Sequence, residues 1–255
     1  MPPERFVRSW ASTEPKAAVA LVHGLAEHSA RYEHVGRAFA EAGYTVRAVD
    51  IRGHGRSRGF PGKVSGLAQW HDDTAAVLEE AAKAALGMPV FLLGHSLGSL
   101  ITGSFVASSH PDIRGFVISG YAGLPGPAVL ESMSDPEGGA IPPDLVSRDP
   151  AVVKAYVDDP LVFYEQVPVE CSAVGMEAAI GANTGAPSIG VPVLMVHGGA
   201  DAICDVQGAR DFHEALGSTD KELIVYDGLY HEVLNEPERD RVIGDIVAWL
   251  DRHTE

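Results

Sequence analysis

A serine lies between two glycines in the stretch Gly94-His95-Ser96-Leu97-Gly98, where a hydrophobic run ends and a helical spacing begins. The pattern G-x-S-x-G between a strand and a helix is typical of a nucleophile elbow, a strained turn that raises the serine hydroxyl above the edge of a sheet. The free amides at the start of the helix can stabilise negative charge. A turn of small residues without chemistry is the alternative. The pattern predicts that Ser96 is the nucleophile of an acyl transfer.

A serine hydroxyl needs a base, and the base needs a carboxylate that orients it. In this architecture the acid and then the histidine follow the serine along the chain, in loops after later strands. Of the eleven histidines, His231 lies in the loop between the last predicted strand and the last predicted helix. His197 lies within a predicted strand, and His213 and His253 lie in predicted helices. The order along the chain therefore predicts that His231 is the base.

Two aspartates follow the preceding strand, Asp201 directly after its glycine turn and Asp205 just before a helical pattern. Asp205 is better explained as the N-cap of that helix. Asp201 is therefore predicted to be the acid that orients His231. Acyl transfer also needs two amide donors for the oxyanion. We predict that these are the backbone N–H of Leu97, next to the nucleophile, and that of Leu25, in the loop after an earlier strand.

Short apolar, β-branched runs alternate with helical patterns along most of the chain. Runs that are almost continuously hydrophobic are typical of strands covered on both faces, so the alternation predicts the α/β class, with a mostly parallel sheet between helices. The predicted strands span residues 17–24, 44–50, 89–94, 113–120, 191–198 and 221–228. The clearest predicted helices span residues 31–43, 71–87 and 238–253.

The alternation stops between residues 121 and 190, a stretch rich in proline and glycine that has helical fragments at 149–159 and 168–181 and no clear strand. About 70 residues without a strand is too long for a simple connection, so this stretch predicts an inserted helical cap. We therefore expect residues 1–120 and 191–255 to form an α/β core and residues 121–190 to form a cap or lid.

The composition argues against several classes of binding partner and of function. Acidic residues outnumber basic ones 35 to 19, for a formal charge of −16, which disfavours binding to nucleic acid and to anionic membranes. We expect a cytoplasmic protein, because the chain shows no secretory signal and no stretch long enough to span a membrane. Cys171 and Cys204 are expected to be free thiols. No metal or organic cofactor is implied, since the histidines and aspartates lack the spacing of metal ligands.

Longer motifs are spread over most of the chain. They are HGLAEHSARY at 23–32, DIRGHGRSRG at 50–59, GHSLGS at 94–99, VVKAYVDDPLVF at 152–163, and HGGADAICDVQGA and YDGLYHEVLNE nearer the C-terminus. These motifs resemble those of the monoacylglycerol lipase family of serine α/β-hydrolases. The resemblance implies an α/β-hydrolase fold, a triad of Ser96, Asp201 and His231, and oxyanion amides at Leu25 and Leu97. These assignments agree with those made from the residues alone.

The resemblance also implies residues that contact the substrate. In the family, residues that match Glu27, Arg31 and Tyr156 lie at the polar end of the pocket, where the glycerol group sits or leaves, and the cap forms an apolar acyl channel. An ion pair between Glu27 and Arg31, and simple packing of Tyr156 in the cap, are equally open readings. Ala26 and Ser99 stand where the family usually has glycines, and these departures affect substrate fit more than fold.

Three further expectations follow from the resemblance. Residues 50–57 should form a structural loop that is held by Asp50 and Arg52. Cys204 matches a cysteine near the family's active site that thiol reagents can modify, and it is not expected to be catalytic. The central cap segment, residues 123–143, aligns with no family motif and is expected to decide acyl length.

The resemblance implies a carboxylic-ester hydrolase that acts on monoacylglycerols or similar single-chain esters. The acyl chain would enter beneath the cap, which would touch a lipid surface transiently. A general esterase, a lysophospholipase or an acyltransferase on the same scaffold remains open, as does a ligand receptor with slow turnover. Epoxide hydrolases and haloalkane dehalogenases are disfavoured, because those relatives have an aspartate at the position of Ser96.

Overall fold

The structure is a computed structural model that describes residues 4–127, 131 and 139–254. A seven-stranded sheet forms its centre, with the strand order β1-β3-β2-β4-β5-β6-β7. The strands span Phe6–Trp10 (β1), Ala17–Val22 (β2), Tyr44–Asp50 (β3), Val90–His95 (β4), Gly115–Ser119 (β5), Val193–Gly198 (β6) and Lys221–Tyr226 (β7). Every neighbouring pair is parallel except β1 with β3. The predicted α/β class with a mostly parallel sheet is confirmed.

All six predicted strands are present, and the structure adds β1, which was not predicted. The sequence of β1, FVRSW, has no continuous hydrophobic run, and only Trp10 of its five residues is buried. It pairs antiparallel with β3 at the edge of the sheet. An antiparallel edge strand with one face towards solvent needs few apolar residues, and this is why the search for hydrophobic runs missed it.

The central strands are hydrophobic because both faces of the sheet are covered. All residues of β2 and β5 are buried. Alternate side chains of β2 enter two separate cores, with Val22 on one face and Leu21 on the other. This alternation follows from the two-residue period of a strand.

Helices cover the two faces of the sheet, and two of them lie within residues 121–190. They span Glu33–Glu41 (α1), Leu67–Ala85 (α2), Leu97–Ser109 (α3), Pro150–Asp158 (α4), Val169–Gly185 (α5), Val206–Ala215 (α6) and Arg239–Thr254 (α7). Two predicted helix starts are wrong. The helix α2 begins before residue 71, because Leu67 and Trp70 are buried and extend its apolar face. Residues 31 and 32 belong to a 3-10 turn, Ser29–Tyr32, and α1 begins only at Glu33.

The helices α4 and α5 both lie within residues 121–190, and the described part of that region contains no strand. The helix α5 packs along α3 through small residues: a Cβ on Gly181 would contact Ser104, and one on Gly185 would meet Ala107. Residues 128–130 and 132–138, which belong to the segment expected to decide acyl length, lie outside the described residues.

Candidate active site

Ser96 lies between β4 and α3, at the carboxyl edge of the sheet. Its backbone has φ +51° and ψ −121°, a conformation that costs a residue other than glycine about 1–3 kcal/mol. The flanking glycines permit the turn, because a Cβ on Gly98 would meet the Val22 carbonyl oxygen and one on Gly94 would meet the Gly98 carbonyl. The backbone is that of a nucleophile elbow, and Ser96 lines a cavity.

Ser96, His231 and Asp201 form a hydrogen-bonded chain. His231 Nε2 lies 2.8 Å from Ser96 Oγ, and His231 Nδ1 lies 2.7 Å from Asp201 Oδ2. The three residues come from the loops that follow β4, β7 and β6. Because Nδ1–H donates to the carboxylate, Nε2 is free to accept the Ser96 hydroxyl proton, which is the arrangement a general base requires.

The pKa values of the acid and of the base move in opposite directions. Burial alone would raise the pKa of Asp201, but His231 and hydrogen bonds from His197 and His231 hold it well below its ordinary value. Burial alone would lower the pKa of His231, but the Asp201 carboxylate outweighs burial and raises that pKa. Asp201 therefore stays ionised and stabilises the imidazolium that forms during proton transfer.

His197 is a fourth member of this chain that the sequence analysis set aside as a strand residue. Its Nε2 lies 3.2 Å from Asp201 Oδ2 and 3.0 Å from the Cys204 carbonyl oxygen. Its Nδ1 is buried and has no partner in the part of the chain that the structure describes, so the ring proton belongs on Nε2, where both acceptors lie. The i, i+4 spacing of His197 and Asp201 in HGGAD is the signal that could have found it.

The other oxygen of the acid is held by the backbone. Asp201 Oδ1 accepts from the Ile203 and Cys204 N–H groups, each at 2.9 Å. Asp205 is the N-cap of α6, as predicted, since its side chain accepts from the Gln207 N–H at 2.8 Å. Asp201 thus keeps a fixed orientation towards His231, and Asp205 has a separate, structural role.

The amides predicted to bind the oxyanion both lie at the cavity, beside Ser96. Leu97 is the first residue of α3, where the backbone N–H has no partner within the helix. Within the described ranges, neither its amide nor that of Leu25 has a hydrogen-bond acceptor. The turn at Leu25 is tight: Glu27 Oε1 accepts from the Gly24 N–H at 2.6 Å, and Ala26 has φ +60°. That φ explains why a glycine would suit the position of Ala26.

A buried ion-pair cluster lies beside His231. Arg31 donates to both carboxylate oxygens of Glu232, at 2.6 and 2.7 Å, and to Glu27 Oε2 at 2.7 Å. Its guanidinium lies 4.7 Å from the centre of the Tyr156 ring. Glu27, Tyr156 and Glu232 line the cavity, whereas Arg31 does not. The ion pair between Glu27 and Arg31 is present. Glu232, the third charged group of the cluster, was not predicted from the sequence.

The rest of the cavity wall is mainly apolar. It is formed by side chains of α3, α5 and loops within residues 121–190, among them Leu100, Ile141, Val167, Met176 and Ala179. Two contacts connect the loop after α4 to the loop after β2. The Phe163 N–H donates to the Ala26 carbonyl at 3.2 Å, and His28 Nε2 lies 2.9 Å from Asp159 Oδ2.

Both cysteines are free, buried and part of the cavity wall. Burial raises the pKa of the Cys171 thiol to about 12. Burial and the neighbouring Asp201 raise the pKa of the Cys204 thiol well above its ordinary value. Both thiols are therefore poor nucleophiles at neutral pH.

The loop after β3 is held as the sequence analysis expected. Asp50 accepts from the Ser29 N–H at 2.8 Å and from the Arg56 N–H at 2.9 Å. Arg52 lies 2.9 Å from the buried carboxylate of Asp73. These contacts are structural, and none of the five residues lines the cavity.

The chain is similar over most of its length to known hydrolases. The family described as "Serine aminopeptidase, S33" matches residues 13–238. The chain is 36% identical to a monoacylglycerol lipase of Mycolicibacterium smegmatis, over 94% of this chain and 90% of that protein, and 32% identical to human monoglyceride lipase, over 98% and 87%. The crystal structure of Paleococcus ferrophilus monoacylglycerol lipase superposes with a TM-score of 0.85 at 31% identity, over 98% of this chain and 99% of that one. In the described residues no helix is long and apolar enough to cross a membrane.

Proposed function

The chain belongs to the serine aminopeptidase (S33) family of hydrolases, and within this family we propose that it cleaves monoacylglycerols to a free fatty acid and glycerol. That it is a carboxylic-ester hydrolase follows from its relatives. The observation that carries the finer proposal is the Ser96–His231–Asp201 chain beside two unpartnered amides, at one end of an apolar cavity. A single acyl chain fits such a wall, because each buried methylene contributes about 0.8 kcal/mol.

Acylation begins at Ser96 Oγ. His231 Nε2 takes the hydroxyl proton while Oγ attacks the ester carbonyl carbon, and Asp201 stabilises the imidazolium. The Leu25 and Leu97 N–H groups donate to the oxyanion of the tetrahedral intermediate. The intermediate collapses, the bond to the alcohol breaks, and the glycerol oxygen takes the proton from His231. The products of this half-reaction are glycerol and an acyl ester of Ser96.

Deacylation uses the same groups with water as the nucleophile. His231 Nε2 takes a proton from the water, whose oxygen attacks the acyl carbonyl, and the oxyanion again accepts from the two amides. When the second intermediate collapses, His231 returns the proton to Ser96 Oγ. The fatty acid then leaves.

The cap is part of this proposal. We assign residues 121–190 to the cap and residues 1–120 and 191–255 to the core, and we infer that α5 meets the lipid surface that supplies the substrate. The helix exposes Val169, Met176 and Ile180, and Met176 also lines the cavity. Its acidic residues, Glu170 and Glu177, favour an uncharged lipid surface over an anionic one.

A fluorophosphonate probe combined with turnover separates this function from the alternatives. We expect rapid labelling of Ser96, mapped by mass spectrometry, together with turnover of monoacylglycerols that exceeds turnover of triacylglycerols, lysophospholipids and short esters. Rapid labelling without appreciable turnover would instead support a ligand receptor. Labelling at any other residue would contradict the assigned nucleophile.

A further inference from the structure

The alcohol of the ester leaves, in the proposed function, at the polar end of the cavity. In the proposed function His231 gives its proton to the departing alcohol oxygen, and Glu232 follows His231 directly. Glu27 accepts from the Gly24 N–H, in the turn that carries the Leu25 amide. The remaining wall is mainly apolar and suits the acyl chain. The alcohol group therefore lies against two carboxylates.

The charges of this cluster sum to −1. The Arg31 guanidinium donates to Glu232 and Glu27 and stacks on Tyr156. Because its charge is compensated by these two carboxylates, it attracts an anion in the cavity only weakly. Burial alone would raise the pKa of Glu27, but Arg31 and hydrogen bonds from Tyr32 and a backbone amide hold that pKa below its ordinary value. The Glu27 carboxylate thus remains charged, and Glu232 holds Arg31 through both of its carboxylate oxygens. Of these three groups only Glu27 and Glu232 reach the cavity wall.

Among the described residues that line the cavity, no lysine or arginine balances this charge. Burial, assisted by His231, lowers the pKa of His95 to about 3, so this ring is neutral. Residues 121–190 contain ten acidic and two basic residues. Both basic residues are paired, Arg148 with Glu236 and Lys154 with Asp158.

We propose that the Glu27–Arg31–Glu232 cluster selects the charge of the alcohol, so that fatty esters of cationic amino alcohols such as choline are substrates alongside neutral esters, and esters of anionic alcohols are rejected. A cation beside a partly buried charge of −1 is attracted more strongly than it would be in water. An anion at the same place is repelled and also loses its hydration. This inference rests on the proposed function, because it concerns the leaving group of the same reaction.

A series of three esters of one fatty acid tests the proposal. The alcohols are choline (cationic), its neutral carbon isostere 3,3-dimethylbutanol, and isethionate (anionic), each measured as monomers at low ionic strength. For the wild-type protein we expect kcat/KM to rise about tenfold from the neutral to the cationic ester and to fall at least about tenfold for the anionic ester. Equal kcat/KM for the three esters, or the reverse order, would overturn the charge selection.

Two substitutions at Glu232 separate charge from shape. Glu232→Gln brings the net charge of the cluster to zero, and we expect the ratios of kcat/KM among the three esters to approach one. Glu232→Asp keeps the charge and should keep the preference for the cation, even where the absolute rates fall. If Glu232→Gln retains the full preference, the cluster is not its source. The monoacylglycerol of the same fatty acid is the control. If the wild-type protein leaves it intact, the proposed function itself fails, whereas good rates on it with a flat or inactive series of three esters overturn only this inference.

Discussion

At the scale of single residues, the backbone of Ser96 stores strain that a glycine would relieve. With φ +51°, a Cβ at this position is unfavourable, so Ser96→Gly should be more stable than Ser96→Ala by about 1 kcal/mol. Both variants should lack esterase activity. Urea denaturation of the two variants side by side checks the difference. A Ser96→Ala protein as stable as Ser96→Gly would contradict the strained elbow.

The pKa of His231 sets the acid limb of the rate profile. Burial would lower that pKa, but Asp201 raises it above the ordinary value, and only neutral His231 can act as the base. We expect kcat/KM to fall as the pH drops through a pKa higher than that of a free histidine. In Asp201→Asn the carboxylate no longer opposes burial, so the pKa of His231 should fall and the residual activity should extend to lower pH. An acid limb that does not move in Asp201→Asn would contradict this coupling.

His197 tunes the same titration from the far side of Asp201. Its Nε2–H lies 3.2 Å from Asp201 Oδ2, the same oxygen that accepts from His231. This second donor weakens the attraction of the carboxylate for the His231 imidazolium and so lowers the pKa of His231. In His197→Phe we expect the carboxylate to hold the imidazolium more tightly and the acid limb of kcat/KM to move to higher pH. His197→Gln can restore a donor and should return the limb towards its wild-type position. A purely structural role would lower stability in both variants without moving the limb.

The sequence predicted the residues whose order along the chain is constrained by the fold. Ser96, Asp201 and His231 each follow a strand, and this placement was enough to select them. Two residues that tune the site were missed for physical reasons. His197 is a strand residue whose contact depends on the turn of the next loop, and the role of Glu232 appears only when Arg31 lies beside it in space.

At the scale of elements, the elbow requires α3 to approach β2 closely. A Cβ on Gly98 would meet the carbonyl oxygens of Val22 and His23, and backbone atoms within a sheet cannot move aside. Gly98→Ala should therefore lower the free energy of unfolding by about 2 kcal/mol or more. Gly244 in α7 is the matched control, because its Cβ would meet nothing within 4 Å and Gly244→Ala should stabilise the helix by up to about 1 kcal/mol.

Thermal unfolding of the two glycine variants measures both effects. A Gly98→Ala protein with wild-type stability would show that the elbow does not depend on this close approach. Destabilisation by Gly244→Ala would show that substitution of helix glycines is harmful in this protein for some other reason.

Element prediction succeeded where burial on two faces produces hydrophobic runs, as in β2 and β4. It failed where tertiary packing outweighs the local pattern. The predicted helix starts at residue 71, just before two aspartates, yet one of them, Asp73, is buried against Arg52 and the helix begins earlier, at Leu67. The cap helix α5 was predicted too short, because its C-terminal turns are held by small residues against α3 rather than by an apolar stripe.

At the scale of the whole molecule, the site exists only because the parallel sheet brings three distant loops to one edge. Residues 96 and 231 are separated by 135 positions, yet their side chains lie 2.8 Å apart. Side chains of α3 and α5 add an apolar wall, and residues 121–190 contain ten acidic and two basic residues. The central proposal therefore concerns assembly: the sheet positions one serine, Ser96, which we propose cleaves a lipid ester beneath residues 121–190.

Hydrolysis of a monoacylglycerol by the wild-type protein and by Ser96→Ala tests this claim most directly. We expect the wild-type protein to release fatty acid and glycerol in equal amounts, and Ser96→Ala to keep its circular dichroism spectrum while its rate falls about 10⁴-fold or more. A wild-type protein that leaves the monoacylglycerol intact, or a Ser96→Ala protein that hydrolyses it at a comparable rate, would contradict the account.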